Sequence, residues 1–438
     1  MPEAIRAALE RLEAAGYEAW LVGGCVRDRL MGAEPHDYDL TTSATPAEVE
    51  AVFAGEKVIE TGLAHGTVTV LLSGEPVEIT TFRAESGYSD HRHPDAVAFT
   101  RSLRDDLARR DFTVNAIAMD ARGTLCDPFG GQADLQAGII RAVGDPDERF
   151  TEDALRILRA LRFSAVLGFA IEPATAAAME RCRAQLAYVS AERVCAELTR
   201  LLCGQSVRPV LTAHVSVLGT VLPELLPMAG FDQRNYHHIY DVLEHTARVV
   251  ENVPPAPRLR WAALFHDAGK PACFTLDEKG VGHFRGHAEA SRELADGAMQ
   301  RLKMDNATRE AADRLIRFHD WPIEAEAPTV RRALRRLGED GLRDLLALKR
   351  ADNLAQNPAY WDRLETYDQI EALAAQIIAE NQAFHLRDLA VNGNDLLALG
   401  FPPGPEMGQL LNRLLDEVIN DRLPNEREAL LAAAKKEL

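Results

Sequence analysis

At 438 residues, with 47% hydrophobic and 26% charged side chains, the chain is long enough for about three globular domains. Its formal net charge of −18 excludes a uniformly basic nucleic-acid surface, and no apolar run approaches the length of a membrane span. Cys25, Cys126, Cys182, Cys195, Cys203 and Cys273 form no Cys-x-x-Cys pair and no zinc spacing, and Met1-Pro2-Glu3 lacks the blocks of a secretion signal, so a soluble, cytoplasmic, reduced protein with no membrane partner is expected.

The charge is unevenly spread. Residues 1–100 carry 7 basic and 17 acidic side chains, whereas residues 101–200 carry 14 arginines and 15 acids. An acidic head that gathers cations, followed by an arginine-rich quarter, permits a bound nucleotide and an RNA on a chain that is acidic in sum.

The apolar run Ala19 to Val22 predicts a short strand, and Gly23-Gly24 after it a loop whose backbone amides can face a triphosphate. Arg27 and Asp28 follow. Asp37 and Asp39 stand two apart, which on an extended strand puts both carboxylates on one face, and paired oxygen donors suit Mg²⁺. The alternating segments Thr67 to Leu72 and Val77 to Phe82, joined by Ser73-Gly74-Glu75-Pro76, predict a β-hairpin. On its second strand Glu78 points away from Val77 and Ile79, and is the best third acid for a two-metal site. Arg83 lies just beyond that strand.

Phe112 to Met119 reads as a further strand, entered through Arg109-Arg110-Asp111, with Asn115 an amide in an apolar segment that needs polar partners, a ribose or base among them. The turn-rich Asp127-Pro128-Phe129-Gly130-Gly131 follows. From Phe150 onward the pattern is helical: Leu155, Leu158, Leu161 and Ala165 mark an amphipathic helix opened by Thr151-Glu152-Asp153, with Thr151 as the cap. Breaks are expected near Val207-Arg208-Pro209, Pro254-Pro255 and Glu324 to Pro328. The fold expected is a small α/β head followed by helical domains.

Later, His245, then His266-Asp267 at the end of the apolar Leu259 to Phe265 helix, and Asp352 give a mixed imidazole and carboxylate set suited to a divalent metal with positions left open for water and phosphate. His287 and His319-Asp320 are further candidates. Seven of the 13 histidines fall between 237 and 319, a concentration that a purely structural bundle does not need.

The order Gly23-Gly24-x-x-Arg27-Asp28, Asp37-x-Asp39, Thr81-Phe82-Arg83, Arg109-Arg110-Asp111-Phe112-Thr113-x-Asn115-Ala116, Asp127-Pro128-Phe129-Gly130-Gly131 and Glu152-Asp153-x-x-Arg156 resembles the class II tRNA nucleotidyltransferases, the CCA-adding enzymes, and the related bacterial poly(A) polymerases. The resemblance implies an α/β nucleotidyltransferase head with a mixed β-sheet flanked by helices, followed by all-α neck, HD and tail domains. The divisions would be 1–140, 141–222, 223–358 and a tRNA-binding tail, 359–438. It further implies that Asp37 and Asp39 are the catalytic metal ligands, for Mg²⁺, and that Arg110, Asp111 and Asn115 hold the nucleotide's sugar and phosphates; Glu78 joins the expected catalytic acids, and Gly23, Gly24, Arg27 and Arg159 join Asp153 and Arg156 as expected nucleotide-binding residues. Asp153 and Arg156 would act as an amino-acid template for CTP and ATP, with the tRNA 3′ end as acceptor; three residues apart on a helix they would share a face. Ala191-Glu192-Arg193-Val194 resembles a neck motif that braces that helix.

Phe82 to Pro94 resembles the flexible loop of full CCA-adding and A-adding enzymes, which disfavours CC-only addition. A-adding enzymes and poly(A) polymerases remain alternatives, as do, from other classes, a phosphohydrolase or a tRNA-binding protein with an inactive head. Leu264-Phe265-His266-Asp267-x-Gly269-Lys270 with Ala351-Asp352-Asn353 resembles the HD phosphohydrolase domain, implying an unidentified divalent metal at His245, His266, Asp267 and Asp352. A second reaction, phosphatase or 2′,3′-cyclic phosphodiesterase, would follow from it. The sequence does not specify an oligomeric state.

Overall fold

In a computed structural model, residues 1–35, 37–62, 66–86 and 96–437 are described. Two compact units divide the chain at Leu226 and Pro227.

The first unit opens with helix α1 (Glu3–Ala14), whose Ile5, Ala8, Leu9 and Leu12 recur at helical spacing and bury one face. The sheet beside it has seven strands: β1 (Ala19–Val22), β2 (Asp39–Thr42), β3 (Lys57–Gly62), β4 (Thr67–Leu72), β5 (Glu75–Thr81), β8 (Ala118–Met119) and β9 (Leu125–Cys126), in the order β3-β4-β5-β2-β1-β8-β9. It is mixed, because β2 runs parallel to β5 while the other pairs are antiparallel. Val68, Val70 and Leu72 on β4 alternate inward and meet Val77, Ile79, Leu21, Leu40 and Phe53 in the core. The β4–β5 hairpin follows the alternation closely; Ser73 (φ 53°) and Gly74 (φ 86°) make its two-residue turn, so pairing starts at Glu75. A separate pair, β6 (Arg83–Ser86) with β7 (Ala96–Phe99), is antiparallel. Residues 87–94 of the segment read as a flexible loop lie outside the described residues.

Some expectations change. Gly23 does not open a loop: with φ 78° it turns β1 directly into helix α2 (Gly24–Leu30). Phe112 to Met119 is a strand only at β8; Thr113–Asn115 is a 3₁₀ turn, because Asp111 and Asn115 satisfy local groups with their side chains, and the Thr113 hydroxyl donates to Asp134 at 2.7 Å. The break expected near Val207-Arg208-Pro209 is a turn at residues 203–206, between a helix ending at Leu202 and one at Val207–Ala213 whose first turn holds Pro209, where a missing proline N–H costs nothing.

Helices α3 (Pro46–Val52), α4 (Leu103–Ala108) and α5 (Gly131–Ala137) complete the head. Beyond it, α6 (Pro146–Glu152) and α7 (Leu155–Leu167) are separate helices with Asp153 between them in extended conformation. Thr151 therefore lies inside α6 rather than capping a helix; Asp145 caps α6, and the Asp153 carboxylate accepts from the Leu155 amide at 3.0 Å. Leu158, Leu161 and Ala165 of α7 are buried; α7 packs on α9 (Ala191–Leu202), and α6 packs on α8 (Pro173–Cys182).

The second unit is almost wholly helical. Of its helices, α10 (Val242–Asn252), α11 (Pro257–Phe265), α12 (His287–Arg301), α13 (Asn306–Phe318) and α14 (Ala327–Leu354) surround one polar cluster. Gly338, at φ 74° and ψ 175°, breaks α14 into two helical parts.

Candidate active site and second polar cluster

Strand β2 carries Asp39 at its first position, and its register with β5, Leu40 opposite Ile79, sets Asp39 beside Glu78 on the same sheet face. Asp37 stands two residues before Asp39; all three acids are exposed. The Asp39 carboxyl lies above its ordinary range, raised first by surrounding protein and also by Asp37, and opposed by Arg110. Gly23 makes room for this edge: a Cβ there would lie 3.2 Å from Arg110 Nη1 and 3.5 Å from Asp39 Oδ2. The glycine turn, the acids and Arg110 are thus brought together.

Next to Arg110 opens a cavity of about 260 Å³ lined by Arg109, Arg110, Asp111, Asp153, Leu155, Arg156, Arg159 and Arg193. Its floor is rigid. Buried Asp111 accepts from Arg159 Nε (2.8 Å) and Nη2 (2.6 Å) through one oxygen, and from the Phe112 amide and Asn115 Nδ2 through the other. Burial alone would raise this carboxyl, but Arg159 and Asn115 hold it down at about 2. Arg27, also buried, donates to Asp28 and, at 2.8 Å, to Asn115 Oδ1. Asn115 therefore finds its partners within the protein, linking Arg27 to Asp111, and neither Arg27 nor Asn115 is among the cavity's lining side chains.

Asp153 and Arg156 face the same cavity without pairing with each other. Asp153 reaches it from the α6–α7 break and Arg156 from the first turn of α7, rather than both from one helix face, which corrects the single-helix expectation. Arg193 Nη2 holds Asp153 Oδ2 at 2.7 Å. Arg156 donates to Glu152 and to the carbonyls of Arg149 (3.1 Å) and Arg109 (3.0 Å). Three of its five N–H groups are so engaged, leaving Nε–H and one Nη2–H. The contact of Arg193 agrees with the bracing motif expected at Ala191-Glu192-Arg193-Val194, whereas the part of Glu152 as a clamp on Arg156 was not separable from sequence, since it could equally be a solvated charge.

Comparison with known proteins bears on this arrangement. Residues 19–141 match the poly A polymerase head domain, 168–227 the RNA and SrmB-binding site of polymerase A, and 284–434 the tRNA nucleotidyltransferase domain 2. The chain is 37% identical over 438 residues to the CCA-adding enzyme of Pediococcus pentosaceus, covering 99% of this chain and 98% of that one. The chain belongs to the class II CCA-adding enzymes. It is also 38% identical to the CCA-adding enzyme of Lactiplantibacillus plantarum, over 99% of this chain and 96% of that one. The Bacillus stearothermophilus CCA-adding enzyme, solved in complex with CTP, superposes with a TM-score of 0.72 at 31% identity over 100% of this chain and 98% of that one.

Like its head, the second unit of this CCA-adding family member gathers chemistry-bearing side chains. His245 on α10, His266 and Asp267 just past α11, and Asp352 on α14 place their donor atoms within 4.8 Å of one another; so do Asp267, His287 at the start of α12 and His319 just past α13. Six of the seven sequence candidates, all but Asp320, are therefore one cluster. His245 Nε2 lies 3.3 Å from Asp267 Oδ2 and 3.0 Å from Asp352 Oδ1, yet His245 Nε2 and His266 Nε2 are buried with no hydrogen-bond partner, while Asp267 Oδ2 meets the Lys270 ammonium. Buried polar atoms left so are costly, and a cation beside the two nitrogens would satisfy both. Burial lowers the His266 imidazole, but Asp267 and Asp352 outweigh it and raise it to about 10, while both carboxyls sit well below their ordinary range. Sequence reasoning passed over Gln233 and His238. Lys270 Nζ bridges Asp267 Oδ2 (2.7 Å) and Gln233 Oε1 (2.9 Å), and His238, held neutral down to about 3 by burial and Lys270, lies 3.4 Å from that ammonium. A cavity of about 310 Å³, lined among others by Lys270, Arg285, His287, His319 and Asp352, opens over the cluster.

Proposed function

We propose that this chain adds C, C and A to the tRNA 3′ end from CTP and ATP without a nucleic-acid template, working in the cytoplasm. The observation that carries the reading is a single cavity where an acceptor carboxylate and a guanidinium with unused donors, Asp153 and Arg156, sit beside Arg110 at the acidic edge. Cytosine and adenine each present an exocyclic amine next to a ring-nitrogen acceptor; Asp153 accepts from the amine and Arg156 donates to the ring nitrogen. Uracil and guanine reverse both polarities and are refused.

Arg110 and Arg159 are within reach of phosphate and sugar, and the buried Asp111–Asn115–Arg27 chain keeps Arg159 in place. Asp37, Asp39 and Glu78 offer the oxygen donors Mg²⁺ requires, and two such ions would ease deprotonation of the acceptor hydroxyl and stabilise departing pyrophosphate. The 3′ hydroxyl attacks the α-phosphorus, the α–β phosphoanhydride bond breaks, and the tRNA lengthens by one nucleotide. Four segments, 1–140, 141–222, 223–358 and 359–438, would serve as head, template-bearing neck, metal domain and tRNA-binding tail.

Purified protein given tRNA ending at the discriminator base tests this. Sequential incorporation of two C and one A is expected, and Asp37→Ala is expected to stop it while tRNA binding persists. Incorporation of ATP alone would replace this reading with an A-adding or poly(A) activity.

The convergent His245, His266, Asp267 and Asp352 donors favour a second reaction, divalent-metal hydrolysis of a phosphomonoester or 2′,3′-cyclic phosphate, with Lys270 and Arg285 holding the oxyanion. Release of phosphate or ring opening of 2′,3′-cyclic AMP, lost in His266→Ala, is the expected result. A wild type that binds no metal and hydrolyses neither leaves this unit as a tRNA-binding body.

A further inference from the structure

Within the first unit, α2 and α7 meet at one aromatic ring. Phe163 on α7 is 5% exposed, and three guanidiniums lie over it, with Arg162 Cζ 4.0 Å from the ring centroid, Arg27 Cζ 5.2 Å and Arg159 Cζ 5.4 Å. Buried Phe112, just before the Thr113–Asn115 turn, meets the same ring edge-on at 5.8 Å and 81°, which fixes its plane.

Three cations around one ring repel unless each is offset. Arg27 bonds Asp28, Arg159 bonds Asp111, and Arg162 Nε lies 2.6 Å from Glu197 Oε2. The negative faces of the ring add to that offset, and more strongly where water is excluded. Arg159 has two acids within reach, since its Nη1 stands 3.9 Å from Glu197 Oε1. Arg162 already engages Glu197, and the ring, one helical turn beyond Arg159, backs the guanidinium that faces Asp111. Of the three arginines, Arg159 is the one that lines the cavity beside Arg110.

We propose that Phe163 is a positioning residue: its ring face sets the Arg159 guanidinium where the sugar and phosphates of the incoming nucleotide arrive, and so raises nucleotide affinity without touching the nucleotide. This rests on the reading of Arg159 as a nucleotide contact. The rival is a core phenylalanine that only fills volume between α7 and Phe112.

Replacing Phe163 by mono-, di- and trifluorinated phenylalanine weakens the negative face stepwise at nearly constant volume. The readout is single-nucleotide incorporation of CTP, or of ATP should the chain use ATP alone, by the full chain on saturating tRNA. KM for that nucleotide should rise stepwise, by about 3- to 30-fold at the trifluorinated ring, with kcat within about twofold of wild type. Arg159→Met should raise KM by itself, and fluorination of that variant should add nothing further. A KM that stays flat across the series while Arg159→Met raises it overturns the positioning role and leaves Arg159 as a contact. A KM unmoved by Arg159→Met overturns the underlying reading instead. A stepwise rise that persists in Arg159→Met overturns the proposal too, because the ring then acts through Arg27 or Arg162. Should the fluorinated proteins fold poorly, Phe163→Leu, which removes the face, and Phe163→Tyr, which keeps it, give the same comparison: Leu alone should raise KM, and equal values overturn the proposal.

Discussion

Asp153→Asn changes the proposed base-reading group by one atom. The side-chain oxygen facing the Leu155 amide can remain, so the helix start is kept, but an NH₂ replaces the oxygen now held by Arg193 at 2.7 Å. Arg193 loses its acceptor, and a donor now meets the exocyclic amine of cytosine or adenine. A hydrogen bond to a charged group contributes about 1.5–3 kcal/mol, which predicts a loss of about 10- to 150-fold in kcat/KM for CTP. The same amide donates to the uracil carbonyl, so UTP use should rise relative to CTP. Single-nucleotide incorporation on a tRNA transcript ending at the discriminator base measures both. If the CTP to UTP preference stays within about threefold of wild type in a variant with unchanged melting, Asp153 does not read the base edge and the argument fails.

Gly23→Ala should raise KM for CTP and lower incorporation: the left-handed backbone there costs a Cβ residue about 1–2 kcal/mol, and the new methyl displaces Arg110 and Asp39, which steady-state kinetics with circular dichroism resolves. Asp111→Asn should destabilise the first unit by about 2–3 kcal/mol at neutral pH in denaturant unfolding. Because the folded carboxyl is depressed from 3.8 to about 2, that advantage is fully present above pH 3.8 and fades as pH falls toward 2, where the two proteins should converge. Chelating divalent cations should weaken CTP binding by calorimetry far more than raising monovalent salt does; equal effects would contradict the proposed head metal site.

Period and punctuation carried much of the fold. Ala19–Val22 and the β4–β5 hairpin were legible because alternation and a Ser-Gly turn are local signals, and the helical second half because its apolar spacing persists. Phe112 to Met119 misled because its apolar residues are core without being strand: Asp111 and Asn115 bond their neighbours and the ladder gives way to a tight turn. The α6–α7 break was hidden for a similar reason, since Thr151, Glu152 and Asp153 read as a helix start and only tertiary packing places Asp153 outside both helices. Candidate site residues were visible by type and spacing, but their division of labour was not. Arg27 and Asn115 read as nucleotide contacts, yet three-dimensional pairing commits both to holding Asp111.

The pairing also reconciles an arginine-rich cavity with a chain of net charge −18. Each guanidinium at the cavity has a carboxylate of its own or a share in one: Arg109 and Arg110 meet Asp106, Arg159 meets Asp111, Arg193 meets Asp153, and Arg156 meets Glu152. Five arginines are therefore set against four acids before Asp37, Asp39 and Glu78 are added, and the site as a whole is close to neutral or acidic. Such a surface fixes donors in space at little self-repulsion, which favours reading a base edge, but it does not by itself attract a multiply charged triphosphate. Cations on the three outer acids would supply that attraction, so under the proposed function the acidic edge and the arginine cavity would be complementary halves, one drawing the triphosphate in and the other choosing its base.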